Sequence, residues 1–329
     1  MRPISRSNPF KWIVFISFFS FQTMAAVHPK QQQAEEIITK LYHSLSYKPS
    51  STMAERLEII SAQFLGAHYE LGALGEGDTG RFDAAPLYRT DSFDCDTYVT
   101  TVLSLALSTN PQSFTQCLAK VRYKGGKVDF ITRNHFTSLD WNPNNQQQGF
   151  IKDITATIKD KNQKPLVEVA TARIDKSSWY QHLSPKAIRL LKANETIQKQ
   201  RLAELQALGS AFSPQNASLP YLPLEKLFDA KGNPETYLFV QIPHGAIIEI
   251  VRPNWNIHEK IGTNLNVSHL GFAFWKQGVL YFRQASSQYG HVVDVPLIDY
   301  LRDKLTSPTI KGINLEVVVP EKPICQITQ

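Results

Sequence analysis

Apolar residues recur at helical spacing in the first third of the chain. The pattern predicts four helices, over 31–47, from Ser51-Thr52 to Gly66, from Asp94-Cys95 through TYVTTVLSLALS, and from Pro111 onwards. The last three predicted starts carry residues that suit a helix N-terminus, namely Ser51-Thr52 with Glu55 as capping-box partner, Asp94 as an N-cap, and Pro111.

The rest of the chain has mostly extended patterns. We expect a loop with short extended pieces over 129–151, and a polar helix over 184–208 that ends at Gly209. The predicted strands are 154–158, 166–170, 237–242, 246–251, 268–275, 279–284 and 313–319, with a hairpin at 276–278. Helices first and strands later predict an α+β fold with an antiparallel sheet.

The N-terminus has the layout of a secretory signal peptide. Three basic residues precede the apolar run 12–21, and a short stretch that ends in the small residues Ala25-Ala26 follows it. The run is too short to cross a bilayer comfortably, which disfavours the alternative of an uncleaved anchor. We therefore expect residues 1–26 to be removed and the protein to be periplasmic or secreted. No later segment is long and apolar enough to span a membrane.

Charge excludes one class of partner. The formal net charge of +6 falls to +3 without residues 1–26, which hold three basic and no acidic residues. No clustered stripe of Lys and Arg is present, so nucleic acid is not an expected partner.

Three cysteines, Cys95, Cys117 and Cys325, leave at least one thiol unpaired in an exported chain. A disulfide between Cys117 and Cys325 is a hypothesis that rests on this count, and it would leave Cys95 free. Cys95 opens a predicted helix with Asp94 as the N-cap, where backbone N–H groups stabilise a thiolate or an oxyanion. Asp94 and Asp96 oppose thiolate formation, so a nearby histidine is required. The alternative is a structural Cys95.

Two histidines have settings that suit a general base. His269 begins a predicted strand, and the hairpin returns Gln284, whose amide is able to orient the imidazole. His135 is the second candidate. The other histidines lack the spacing of metal ligands, and HExxH and paired CxxC motifs are absent, so we expect no metal and no organic cofactor.

The order of several short motifs resembles the NlpC-type papain-like hydrolases of peptidoglycan. These are Phe64-Leu65-Gly66-Ala67-His68-Tyr69, then Asp94-Cys95 opening a helix, then His269-Leu270-Gly271-Phe272, then a polar residue one strand later. Further strings look like the N-acetylmuramoyl-L-alanine amidase-like branch, namely 133–136, Asp140-Trp141, 242–245 and 251–255. The resemblance covers about Glu55 to Leu301.

The resemblance implies a single papain-like domain over 27–329, with its N-terminal helices packed on an antiparallel sheet. It gives Cys95 as nucleophile, His269 as general base and Gln284 as the orienting residue, and it places Tyr69 at the oxyanion site. The Cys and His halves are far apart in the sequence, so residues 125–235 would form an insertion or an elaborated wall of the active site.

The expected wall carries side chains that suit a glycan-linked peptide, among them Arg133, Asn134, His135, Asp140 and Trp141. An ordinary polar loop is the alternative for these residues. The expected substrate is peptidoglycan or a muropeptide, cut at the MurNAc–L-Ala bond or within the stem peptide. The rivals are a non-catalytic wall-binding protein and a secreted effector that acts on another amide. Neither the oligomeric state nor the bond is determined by the sequence.

Overall fold

The computed structural model describes residues 28–47, 49–192 and 194–325. The predicted signal peptide lies outside these residues. Within them, no helix combines the length and the apolar character that crossing a membrane requires.

Eleven α-helices and ten strands lie in the described part of the chain. The helices are α1 (Pro29–Tyr47), α2 (Met53–Ala62), α3 (Cys95–Ala106), α4 (Pro111–Arg122), α5 (Asn142–Gln147), α6 (Lys176–His182), α7 (Glu195–Gly209), α8 (Leu224–Leu227), α9 (Thr236–Phe239), α10 (His258–Ile261) and α11 (Leu297–Arg302). The strands are β1 (His68–Tyr69), β2 (Ser92–Phe93), β3 (Ile151–Asp153), β4 (Glu168–Ile174), β5 (Gln215–Pro223), β6 (Ala246–Asn256), β7 (Asn264–Lys276), β8 (Val279–Ser286), β9 (His291–Pro296) and β10 (Gly312–Val318).

All ten strands belong to one sheet, in the order β2-β1-β9-β8-β7-β6-β10-β5-β4, with β3 also paired to β10. The pairing is antiparallel except between β1 and β2. The turn between β7 and β8 is Gln277-Gly278, and both residues have positive φ, of 49° and 80°. Two left-handed residues suit the twist of a tight hairpin, so the predicted hairpin and the mixed α+β class are confirmed.

Helices cover both faces of the sheet. The first core joins α1–α4 to residues such as Leu270 and Phe272 of β7. The second core packs α8, α9 and α11 against alternate residues of the same strands, including Ala273 and Phe282. Because successive side chains of a strand point to opposite faces, β7 contributes to both cores. The strand that carries His269 is thereby held between two packed layers.

A disulfide joins Cys117 of α4 to Cys325, across a sequence separation of 208 residues and a Cα–Cα distance of 5.6 Å. Cys95 is the free cysteine of the described chain. The C-terminal segment is thus attached to the helix that packs beside α3.

The four N-terminal helices are confirmed, including the Thr52 cap of α2 and the Asp94 cap of α3. The polar helix predicted over 184–208 starts late, because the Asn194 side chain caps α7 by accepting from the Ile197 N–H. The strand predicted at 166–170 lies slightly later, as β4.

Three predictions of local structure are wrong. The expected loop at 129–151 contains a π-helical turn (Thr137–Trp141) and α5, where Pro143 stands in the first turn and needs no hydrogen-bond acceptor. A 3₁₀ turn replaces the strand at 154–158, because Asp153 accepts from the Thr155 N–H. The strand at 237–242 is replaced by α9, since a short apolar run has no distinguishing period.

Residues 168–223 extend the sheet at one edge. Strands β4 and β5 pair along their length, with α6 and α7 between them in sequence. A small core of their own includes Tyr180 and Leu205. It reaches Phe82, which lies just after the glycine-rich loop 72–80 (Gly72, Gly75, Gly77 and Gly80). That 125–235 is an insertion relative to smaller proteins stays a prediction.

Candidate active site

Cys95 is the first residue of α3 and is partly exposed. Asp94 caps the helix, because its Oδ1 accepts from the Thr97 N–H at 2.8 Å while the Thr97 hydroxyl receives the Asp94 N–H at 2.9 Å. The other Asp94 oxygen accepts from the Gly72 N–H at 2.8 Å. Asp94 therefore fixes the start of α3 and attaches the glycine-rich loop to it.

The thiol of Cys95 lies in a setting that favours its neutral form. Burial raises its pKa, and the carboxylates of Asp94 and Asp96 raise it further, while backbone hydrogen bonds from Leu270 and Asp96 act in the opposite direction. Burial and the charge of Asp94 also raise the pKa of Asp96 to about 7. The free thiol is thus protonated at neutral pH, and a base has to remove its proton when it reacts.

His269 lies on β7 and Gln284 on β8, and the structure brings the two side chains together. His269 Nε2 contacts Gln284 Oε1 at hydrogen-bonding distance. Because an amide oxygen only accepts, this contact requires the imidazole proton on Nε2 and leaves the lone pair of Nδ1 available. Burial lowers the pKa of His269 to about 4, so the ring is neutral and basic at neutral pH. This is the protonation state that a general base needs.

A glycine makes room for the ring that supports His269. Phe282 of β8 meets the imidazole edge-on, with ring centroids 5.8 Å apart. A Cβ at Gly271 would lie 2.7 Å from the Phe282 ring and 2.5 Å from the Arg283 carbonyl oxygen. Only glycine fits at this position between β7 and β8. The Phe282 ring that it admits limits the orientations of the His269 imidazole.

The proposed nucleophile contacts the strand that carries the proposed base. Leu270, which directly follows His269, makes a backbone hydrogen bond to the Cys95 thiol. Tyr98 of α3 packs edge-on against Phe272 of β7, with centroids 6.1 Å apart. The contact between α3 and β7 therefore places the Cys95 thiol beside the His269–Gln284 pair.

Two tyrosines border the thiol. Burial raises the pKa of Tyr69 to about 12, with further contributions from the neighbouring Cys95 and Asp94, and its hydroxyl bonds to Ser287. Tyr300 of α11, which sequence reasoning missed, packs on Phe282 at 5.0 Å. Burial raises the pKa of Tyr300, with Cys95 as the next cause. No motif marks Tyr300 in the sequence, because only the fold of α11 onto β8 brings it here.

Arg133 is held by two acidic residues, one in the glycine-rich loop 72–80 and one just after it. Its guanidinium pairs with Glu76 and with Asp83, both almost fully buried. Arg189 bonds the same Asp83 at 2.6 Å and also reaches the carbonyl oxygens of Gly72 and Leu74. The predicted capture of a substrate carboxylate does not fit this arrangement, because the Arg133 charge is already neutralised.

Asn134 and Trp141 make internal contacts. The Asn134 amide donates to the Val121 carbonyl at 3.1 Å, and the Trp141 indole donates to the Thr100 hydroxyl at 3.2 Å. Trp141 is 1% exposed, so no sugar ring reaches it in this structure. The predicted stacking therefore does not fit its position under α3.

His135 and Asp140 lie in an aromatic cluster. The His135 ring has its centroid 4.7 Å from that of Phe130 and 4.6 Å from that of Trp179, and Nε2 is 2.8 Å from the Phe130 carbonyl oxygen. Burial and the Arg133 charge hold the His135 pKa well below its usual value. Asp140 pairs with Lys176. The structure places this second base candidate among these rings, whereas His269 directly precedes the residue that bonds the Cys95 thiol.

Comparison with known proteins places the chain in a family. The N-acetylmuramoyl-L-alanine amidase-like family, AmiA-like, matches residues 59–310. A solved structure of a Legionella pneumophila strain Philadelphia 1 protein assigned to DUF1460 is 52% identical, with TM-score 0.87 and 91% of this chain and 99% of that chain aligned. No curated protein sequence matches this chain significantly.

Two structures from Bacteroides are more distant. An N-acetylmuramoyl-L-alanine amidase of Bacteroides uniformis is 25% identical, with TM-score 0.55 over 82% of this chain and 99% of that one. A putative xylanase of Bacteroides fragilis, 24% identical with TM-score 0.54 over 78% of this chain and 98% of that one, shares the fold. The NlpC-type papain-like core stays a prediction. The chain belongs to the N-acetylmuramoyl-L-alanine amidase-like family.

Proposed function

We propose that this protein is a cysteine amidase of the bacterial cell wall, which hydrolyses an amide of peptidoglycan or of a muropeptide. One observation carries the proposal: Cys95 is at a helix N-terminus, and its thiol bonds the residue next to His269, whose ring is oriented by Gln284. The family supports an amide as the bond that is cut.

The mechanism begins from a neutral pair. Nδ1 of His269 accepts the thiol proton as Sγ of Cys95 attacks the carbonyl carbon, and the backbone N–H groups at the start of α3 stabilise the oxyanion. Tyr69, whose pKa is raised to about 12, keeps its hydroxyl proton and is able to donate to the same oxygen. His269 then protonates the leaving amine. Water hydrolyses the thioester and restores the thiol.

The proposed scissile bond is MurNAc–L-Ala, as the family description and the Bacteroides uniformis neighbour suggest. A bond within the stem peptide is the alternative. We further propose that residues 1–26 direct export, so that the enzyme meets its substrate in the periplasm or outside the cell.

The test is digestion of purified peptidoglycan and of defined muropeptides by residues 27–329, with mass spectrometry of the products. Release of free glycan and of peptides that begin with L-Ala identifies the MurNAc–L-Ala bond, whereas cut stem peptides identify an endopeptidase. Cys95→Ala and His269→Ala should abolish release. His43→Ala on the exposed surface of α1 is the matched control and should retain activity.

His135→Ala separates the two base candidates. We expect it to retain turnover in proportion to the folded protein, because its ring serves the aromatic cluster. No Cys95-dependent release from any wall substrate, together with wall binding, would favour a non-catalytic binding protein. Cleavage of an unrelated amide alone would favour a secreted effector.

A further inference from the structure

Arg252 is a partly buried cation close to the proposed base. Its Nε donates to the Ser268 hydroxyl at 3.0 Å, and Ser268 directly precedes His269. Its Nη1 donates to the Thr309 hydroxyl at 2.9 Å, and the guanidinium lies 4.2 Å from the centroid of the Trp255 ring. These contacts orient the planar group without neutralising its charge, since hydroxyls and indole rings are uncharged.

Unlike Arg252, other arginines near the site are paired with acidic side chains. Arg133 and Arg283 both form ion pairs with carboxylates of the chain. Among the ion pairs of residues 28–47, 49–192 and 194–325, none includes Arg252 or Lys304. Burial lowers the pKa of Arg252, which indicates a charge kept partly out of water without an acidic partner.

A local irregularity of β6 positions Arg252. The pairing of β6 with β7 shifts register between Val251 and Trp255, and Asn254 has a φ of 46°. The Asn266 side chain accepts from the Asn254 N–H at 3.2 Å, and the Asn264 amide donates to Asn254 Oδ1 at 2.9 Å. Bulges of this kind redirect side chains at the edge of a site, and here two asparagines hold the redirected segment.

Lys304 approaches the same region from the end of α11. Its Nζ lies 5.0 Å from the centroid of Tyr300, and Tyr300 packs on Phe282, which packs on His269. The Lys304 charge is among the causes that lower the pKa of His269, and Tyr300 interacts with both Arg252 and Cys95. Two cations that form no ion pair with the described acidic residues therefore lie on Tyr300, whose side chain interacts with Cys95.

We propose that Arg252 and Lys304 bind a carboxylate of the substrate peptide, close to the scissile amide. This inference rests on the proposed function and specifies its substrate as an acyl-L-alanyl peptide that carries a free carboxylate on the residue after alanine. A planar guanidinium held by two hydroxyls and a tryptophan presents its remaining N–H groups in a geometry that suits a carboxylate, and the Lys304 ammonium adds a second charge.

The experiment measures binding, so that it does not depend on turnover. Cys95→Ala protein is titrated calorimetrically with N-acetylmuramoyl-L-alanyl-D-glutamate and with the same compound in which both glutamate carboxyls are amides. We expect the acid to bind about tenfold tighter or more, as charge-assisted hydrogen bonds allow. Adding Arg252→Gln or Lys304→Gln should lower this ratio severalfold. Arg252→Lys should restore part of it.

Lys152→Gln is the matched control, because Lys152 is exposed on β3 at the far end of β10 from Arg252. It should leave the ratio unchanged. Equal affinities for acid and diamide, or a ratio that neither Arg252→Gln nor Lys304→Gln lowers, would overturn the inference. If Arg252→Gln does not fold, Lys304→Gln alone decides. Failure of the proposed function is distinguishable from failure of this inference, because it would appear as absence of cleavage by the protein that retains Cys95.

Discussion

His269 and Gln284 form a side-chain pair across β7 and β8, in which the amide oxygen of Gln284 receives the imidazole Nε2–H. Gln284 is 1% exposed, so the bond is shielded from water. The pair fixes the tautomer and the direction of the proposed base. The amide supplies an acceptor without a charge, which distinguishes it from an aspartate in the same place.

Removing this amide should lower turnover. We expect Gln284→Ala to reduce kcat about 10- to 100-fold with a smaller change in KM, because the imidazole loses its orientation but remains present. Steady-state kinetics on a defined muropeptide would measure kcat and KM separately. Gln277→Asn in the exposed hairpin turn, where φ is positive, is the control and should behave as the parent. An unchanged kcat in Gln284→Ala would contradict an orienting role.

The pH profile should have an acid limb near pH 4. His269 acts as a base only when neutral, and its pKa is lowered to about 4, so kcat/KM falls as the pH drops through that value. Gln284→Glu should move the limb upward, because a carboxylate stabilises the imidazolium. Profiles of both proteins between pH 3 and 8 check this. A limb in the parent near pH 6.5 would show that the ring is not desolvated.

Asp96 should restrain the reactivity of Cys95 in a pH-dependent way. Its carboxylate raises the pKa of the thiol, and its own pKa is raised to about 7, so the restraint is present above pH 7 and lost below it. Asp96→Asn should alkylate with iodoacetamide several-fold faster than the parent at pH 8.5, and at the same rate at pH 5.5. Glu36→Gln, an exposed change of the same charge on α1, should show no difference at either pH.

Glu249 should make the fold less stable as the pH rises. It is fully buried, its Oε2 receives the Asn142 amide at 3.1 Å, and burial raises its pKa to about 8. A carboxyl whose folded pKa exceeds its unfolded value binds an extra proton when folded, so stability declines from about pH 4.5 to 8. Glu249→Gln should lessen this decline by up to about 1.4 kcal/mol per pH unit in denaturant titrations. Glu259→Gln on the exposed α10 should leave the slope unchanged.

The disulfide should stabilise the fold and leave one thiol for titration. Closure of a loop with a sequence separation of 208 residues restricts the unfolded chain, and loss of such bonds typically costs about 2–5 kcal/mol. Cys117→Ser with Cys325→Ser should therefore lower the free energy of unfolding by that order. Unfolded, unreduced protein should bind one equivalent of thiol reagent. Three equivalents would contradict the bond.

How far the sequence predicts this site depends on how local its contacts are. The Asp94 cap, and with it the place of Cys95, follows from neighbouring residues. His269 and Gln284 are joined by a hairpin whose length sets their approach. For Arg133 and Trp141 the residue type predicts a role in substrate binding, but their partners Glu76 and Thr100 are distant in the chain. The sequence does not predict Tyr300 and Arg252 as neighbours of the site, because they too reach it through contacts between distant parts of the chain.

Asp94 accepts hydrogen bonds from Thr97 in α3 and from Gly72 in the glycine-rich loop, and Arg189 bonds that loop to the extension of the sheet. A loop attached at both places cannot swing away while the helix stays capped. We therefore expect this loop, which is attached to the residue before Cys95, to keep its position when a substrate binds.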